Sequence, residues 1–217
     1  MKVINLGERD SVFNVYMSQL RDTATQGNRT LFRRNLQRVA RCMAYEVSRT
    51  LRYSEKTVTT PLADKQVRTY DDHIVVGTVL RAGLAFHEGF LDTFDQADSG
   101  FVSAYREEGT RGDIKIHVEY IAAPALDGST FLLVDPMLAT GGSLELAYKA
   151  FLTHGTPAHL HICCVIAAEE GIAHLRGLFP SDDVTLWVAA VDPQLNDAAY
   201  IVPGLGDAGD LSFGTKL

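Results

Sequence analysis

Cysteine is scarce in this chain: three residues in 217, at positions 42, 163 and 164. No Cys-x-x-Cys pair occurs and the count is odd, which argues against both a zinc site and a disulfide framework and points to a reducing compartment. Basic residues are also in deficit. Lys and Arg number 20 against 27 Asp and Glu, a formal net charge of -7, and a dedicated nucleic-acid binder would need a concentrated basic surface instead. A small phosphorylated ligand remains compatible, because a local cluster of arginines and backbone amides can hold it. Long apolar runs are missing too. Nothing reaches membrane-spanning length, and Met1–Asp10 lacks the apolar stretch of a signal peptide, so no membrane partner and a cytoplasmic location are expected. Neither a nucleophile elbow nor a Ser-His-Asp arrangement is legible. With no internal repeat or low-complexity linker, residues 1–217 read as a single domain, with 1–60 a helical segment packed on it.

What is present alternates between helical and strand patterns. Phe32, Leu36, Val39, Ala40, Met43, Val47 and Leu51 form the stripe of an amphipathic helix from Leu31 to Leu51 that Thr30 could cap. The arginines at 33, 34, 38 and 41 lie mostly off that stripe; they read as a solvated face, with an anion or effector site the less favoured meaning. Apolar runs at 73–80, 100–105, 130–135, 159–168 and 184–191 read as strands buried on both faces. The fold class is therefore α/β, a parallel twisted sheet flanked by helices. In such sheets ligands sit beyond the C-terminal strand ends, where Arg81, Tyr105-Arg106 and Asp135 fall.

The densest signal is Leu132-Leu133-Val134-Asp135-Pro136-Met137-Leu138-Ala139-Thr140-Gly141-Gly142-Ser143. An apolar strand ends in an acid, turns, and opens a helix with Thr-Gly-Gly-Ser. Glycines let backbone N–H groups approach an anion, and a helix beginning near Ser143 points its positive end at the same spot. Asp135 would repel a phosphate but is suited to accept hydrogen bonds from sugar hydroxyls beside one. Together they read as a sugar-phosphate site.

Three further segments bear on chemistry. Arg81-Ala82-Gly83, after a buried strand, could set a guanidinium and amides against a second phosphate group. Arg106 to Pro124, with Gly109, Gly112 and the alternation Ile114, Ile116, Val118, reads either as a mobile flap able to close over a substrate or as an exposed hairpin with no role. Tyr200 to Asp210 packs glycines, a proline and two acids into a stretch expected to be irregular. Its backbone could meet a flat heterocycle edge-on while an acid holds a metal or a hydrated sugar, or it could be an inert turn.

Val79 to Leu84, Tyr105-Arg106, Val134 to Ser143, and Tyr200 to Asp210 followed by Phe213-Gly214-Thr215 together resemble the uracil phosphoribosyltransferase family. The resemblance implies a type I phosphoribosyltransferase fold with a flexible hairpin flap and a C-terminal base-binding loop. It also implies transfer of 5-phosphoribosyl from phosphoribosyl diphosphate to N1 of uracil, giving UMP and diphosphate. On the matching positions, Asp135 would take the ribose hydroxyls, and Pro136, Met137, Leu138, Ala139, Thr140, Gly141, Gly142 and Ser143 would form the 5-phosphate cradle. Arg81 and Arg106 would neutralise the diphosphate, and Asp207 would face the ribose and metal. Ile201, Gly206, Asp207 and Ala208 would read uracil. Mg2+ would bind through diphosphate and waters, with Asp207 a candidate ligand. Homodimers or higher assemblies and a GTP effector belong to the family picture, though no residue here carries either. A catalytically weak nucleotide sensor with the same fold is the alternative.

Departures from the family pattern fall at Ala85, at Ala123 in place of a flap lysine, at Glu169, and at Leu211-Ser212 in place of a basic and an apolar residue. Two lost positive charges would weaken the hold on diphosphate. His159 and His161 have no third ligand at a metal spacing, Cys163 and Cys164 read as small hydrophobes, and Trp187 reads as core.

Overall fold

In the computed structural model, the backbone is described for residues 1–108 and 114–216, and side chains for these except 104–118. The chain opens with strand β1 (Lys2–Asn5), followed by helices α1 (Val12–Arg21) and α2 (Arg29–Ser48). An antiparallel hairpin, β2 (Tyr53–Thr59) and β3 (Asp64–Tyr70), stands apart as its own two-stranded sheet. Next come β4 (Ile74–Leu80), α3 (Leu84–Leu91), β5 (Asp98–Glu108) and β6 (Ile114–Ala122). The remainder is β7 (Thr130–Val134), β8 (Met137–Leu138), α4 (Gly142–Phe151), β9 (His159–Ala168), α5 (Glu169–Leu178), β10 (Val184–Asp192), β11 (Gln194–Leu195), β12 (Ile201–Val202) and α6 (Ala208–Phe213).

The main sheet runs β1-β10-β9-β7-β4-β5-β6, with β8 extending the edge of β9. All its pairings are parallel except β5 with β6. Its central strands are buried along their lengths, the mark of a sheet covered on both faces. Alternation sends Val76, Leu132, Val134, Cys163 and Trp187 into one core with α1, α2 and α3. Val75, Phe131, Leu133, Ile162 and Cys164 enter a second core with α4 and α5. A fully buried Phe or Leu contributes about 1.5–3 kcal/mol, so these two layers hold the strand ends rigidly.

Chain order places the site. From β4 the chain moves to β5 on one side, whereas β7, β9 and β10 build outward on the other. The C-terminal ends of β4 and β7 thus flank the point where the topology reverses, the crevice in which doubly wound sheets bind ligands.

Several expectations for the first 60 residues need correction. The segment is not wholly helical: β1 is an edge strand of the main sheet, in register with Thr185–Val188, and β2 belongs to the exposed hairpin. The long helix begins at Arg29 and is capped by Asn28, whose side chain accepts from the Leu31 amide, rather than by Thr30. At the other end, the stretch expected to be irregular already becomes helical at Ala208.

Candidate functional site

Asp135 follows β7 directly and is buried at 8% exposure. Its Oδ1 accepts from the Met137 amide at 3.1 Å, and burial pushes its carboxyl up to about 7. The turn beyond it is braced on both sides. The Pro136 carbonyl accepts from the amides of Val165 and Ile166, and β8 pairs with the end of β9. Leu138 has its side chain wholly in the core, so only its backbone can serve a ligand.

Gly141, not Gly142, carries the left-handed backbone, at φ 87°, and stands at the N-cap of α4 with no side-chain cap. A Cβ on Gly141 would lie 2.7 Å from the His174 ring, so glycine is required for space as well as for φ. The first amides of α4 therefore start a ten-residue helix without a side-chain cap, the arrangement that suits an anion. Glu145, in the first turn, would oppose that anion. Its carboxylate instead accepts from Lys149 at 2.6 Å and pairs with His174 at 2.7 Å, contacts that hold it below the usual carboxylate range.

At the end of β4, Arg81 donates to the Gly214 carbonyl at 3.2 Å and to Asp210 Oδ1 at 3.1 Å. Its buried Nε has no partner among the described residues. The guanidinium expected to meet a second phosphate is thus already tied to α6, sharing its charge with Asp210. Asp207 caps that helix, its Oδ1 accepting from the Asp210 amide at 2.8 Å. The loop before it turns through left-handed glycines, Gly204 at φ 64° and Gly206 at φ 88°. Ile201 is buried in β12 against β11, with its side chain in the core.

These pieces meet. Arg81, Asp135, Met137, Asp207 and Ala208 line one cavity of about 150 Å³ at the reversal point of the sheet, joined by Lys216. Asp207 also lines an adjoining cavity of about 420 Å³, together with Gln26, Arg29 and Gly206. A lysine this near the end of the sequence carries no pattern that marks it as a site residue; the fold brings Lys216 to the cavity wall, where it adds a cation beside Arg81. A larger cavity, about 730 Å³, lies among β1, α1 and α2 and holds none of the phosphate or base residues. Chemistry rather than size therefore selects the site. Arg106 sits on β5, but its side chain and the flap between the strands lie outside the described residues.

The arginine stripe of α2 is engaged within the protein at three positions. Arg33 donates to the Ser212 carbonyl at 2.7 Å, Arg38 reaches Asn35 and lies over the Tyr16 ring, and Arg41 pairs with Asp92. His161 accepts from the Trp187 indole at 3.2 Å, and burial lowers it to about 4, which keeps it neutral in the core. Cys163 and Cys164 are fully buried.

Over residues 9–215 the sequence matches the family model described as Uracil phosphoribosyltransferase. A uracil phosphoribosyltransferase of Porphyromonas gingivalis is 48% identical over 217 residues, covering 100% of both chains. A solved structure from Aquifex aeolicus superposes with a TM-score of 0.87 at 32% identity, covering 99% of both chains. A hypoxanthine phosphoribosyltransferase from Staphylococcus aureus has a TM-score of 0.50 at 10% identity, over 75% of this chain and 76% of that one, a likeness of fold alone.

Proposed function

The chain belongs to the uracil phosphoribosyltransferase family, and we propose that Asp135, the 136–143 turn, Arg81, Arg106, Asp207 and the 201–208 loop are its working parts. The protein is a glycosyltransferase of pyrimidine salvage: it moves a 5-phosphoribosyl group from phosphoribosyl diphosphate to uracil, giving UMP and diphosphate. The observation that carries the residue assignment is the convergence of Arg81, Asp135 and Asp207 on one cavity at the reversal point of the sheet.

In this assignment the α4 amides and the Gly141 turn hold the 5-phosphate, and Asp135 accepts from the ribose hydroxyls. The bond from C1 to the diphosphate oxygen breaks as that from C1 to uracil N1 forms, passing through an oxocarbenium-like centre, and the proton lost from N1 passes to the departing diphosphate. Catalysis then rests on alignment and on stabilising the leaving group's charge. Arg81, Arg106 and Lys216 supply that positive charge. The 201–208 loop presents backbone groups to uracil O2, N3 and O4. Cytosine would set an amino donor where the loop expects an acceptor, leaving a buried pair of donors.

Among the described residues no group of three or more His, Cys, Asp or Glu could hold a metal ion. Asp135 and Asp207 on one cavity wall instead fit an ion carried by diphosphate and water with one or two carboxylates, the manner of Mg2+. Asp207 would be its protein contact. Bound there, Mg2+ would neutralise diphosphate charge. No described helix is long and apolar enough to cross a membrane, and we place the enzyme in the cytoplasm. We further propose a homo-oligomer. The β2–β3 hairpin is exposed along most of its length, with Leu62 at 97% exposure on its tip, an apolar group suited to another copy.

Diphosphate release measured with each nucleobase in turn tests this reading. Uracil should be the substrate by at least about a hundredfold in kcat/KM, a margin that buried hydrogen-bond mismatch supplies. Equal turnover of cytosine would remove the loop from base recognition.

A further inference from the structure

The loop assigned to the base is anchored by α1, by the connection after it and by the end of β10. Asp192, at the end of β10 and 5% exposed, accepts two hydrogen bonds from the Arg21 guanidinium, both at 2.7 Å. The same pair grips one residue of the loop on both of its backbone groups. Arg21 Nη1 donates to the Gly204 carbonyl at 2.9 Å, and the Gly204 amide donates to Asp192 Oδ2 at 2.8 Å. Arg21 and the Gly204 amide together hold the Asp192 carboxyl below its ordinary range despite its burial. One residue further along, Gln26 donates to the Leu205 carbonyl at 3.3 Å while also bonding the carbonyls of Leu20 and Arg21. Residues 204 and 205 are therefore fixed by the end of α1 and the connection that follows it.

We propose that Arg21, Asp192 and Gln26 are positioning residues for base recognition: a fork and an amide that set the 204–206 backbone in the register at which it meets uracil, while the Asp207 carboxylate is held separately by its cap on the Asp210 amide. The inference rests on assigning uracil to that loop. None of the three touches the 5-phosphate cradle, which is braced separately by β9 and by α5, where Gly171 packs against the Ala139 carbonyl. A bidentate guanidinium fixes both distance and plane, whereas an ammonium at the same place fixes neither. Misplacing a recognition element by a fraction of an ångström weakens binding of the group it reads and leaves a separately held group untouched.

The test uses the full-length enzyme at saturating phosphoribosyl diphosphate. Arg21→Lys, Gln26→Leu and the charge-balanced double variant Arg21→Gln/Asp192→Asn should each raise KM for uracil, the double variant by about tenfold to a hundredfold. Their kcat should change much less, and the calorimetric Kd for phosphoribosyl diphosphate should hold. The double variant avoids stranding a buried charge, and the two single variants each keep Asp192 paired, so a folded protein is available for the measurement. Gly206→Ala, which strains a left-handed position of the loop itself, serves as the reference. If Gly206→Ala raises the uracil KM and the Arg21 and Gln26 variants do not, the anchor has no part in recognition and the inference is overturned. If none of them moves it, the loop is not the base site, and the inference falls with that assignment. Parallel loss of uracil and phosphoribosyl diphosphate binding would mark a general structural role and would overturn it as well.

Discussion

Asp135→Asn should stabilise this protein at alkaline pH while damaging its function. Burial raises the folded-state carboxyl from 3.8 to about 7, so in the free enzyme the charge is resisted by its surroundings. Below about pH 4 the side chain is protonated in both the folded and unfolded states and has no effect on their balance. As the pH climbs from about 4 to about 7 the unfolded chain ionises first, stability falls, and above pH 7 the loss is complete. A difference of this size corresponds to about 4 kcal/mol. Asparagine removes the ionisation and keeps an oxygen for the Met137 amide, so the variant should gain up to that amount over the wild type at pH 8 and little at pH 4.5. Ligand binding runs the other way. Ribose hydroxyls donating to the carboxylate favour its charged form, so wild-type affinity for phosphoribosyl diphosphate should rise between pH 6 and pH 8 beyond the rise that the ligand's own phosphates cause, which Asp135→Asn reports. Urea denaturation at both pH values, with calorimetric titration of the two proteins, measures both effects. Equal destabilisation of Asp135→Asn at pH 4.5 and pH 8, or identical pH dependence of binding in the two proteins, would refute the reasoning.

Asp207→Asn should lower kcat by about a hundredfold or more while the melting temperature scarcely moves, because asparagine caps a helix about as well as aspartate; a large drop in melting temperature with proportionate activity loss would make Asp207 structural. Lys216→Ala should raise KM for phosphoribosyl diphosphate several-fold, by about 1 kcal/mol of lost charge interaction, and leave KM for uracil in place; steady-state kinetics with each substrate varied separates the two. Chelation of divalent cations should abolish turnover and added Mg2+ restore it, whereas full activity in metal-free buffer would remove the metal from the account.

How much of this was legible in the sequence varies with the range over which each feature is encoded. The strand at 159–168 agreed end for end with its apolar run, and the cradle was readable because strand, acid, turn and helix start lie within a dozen residues. The edge strand Lys2–Asn5 is too short for a period to show, and the polar, exposed 53–70 hairpin offers no buried face to alternate. Thr30 and Asn28 are both cap-forming residues two positions apart, a choice that local chemistry leaves undecided. The contacts least visible were those between distant segments. Arg81 bonds residues 129 and 133 positions away, and Arg21 bonds a carboxylate 171 positions away. No local pattern records such pairs; only the closed sheet brings them together.

The central claim is that residues 135–143 hold the ribose 5-phosphate, and calorimetric binding of phosphoribosyl diphosphate and of UMP to Gly142→Val tests it most directly. Gly142 is the first residue of α4 and, unlike Gly141, has no left-handed backbone, so the substitution asks for no forbidden φ and adds a branched side chain at the helix start to which we assign the phosphate. Losing two or three hydrogen bonds to a charged group corresponds to at least about a hundredfold in affinity. Both ligands should weaken together by that factor in a protein that remains folded. A folded Gly142→Val enzyme that binds both as tightly as the wild type would show that this segment is only a connection between β7 and α4.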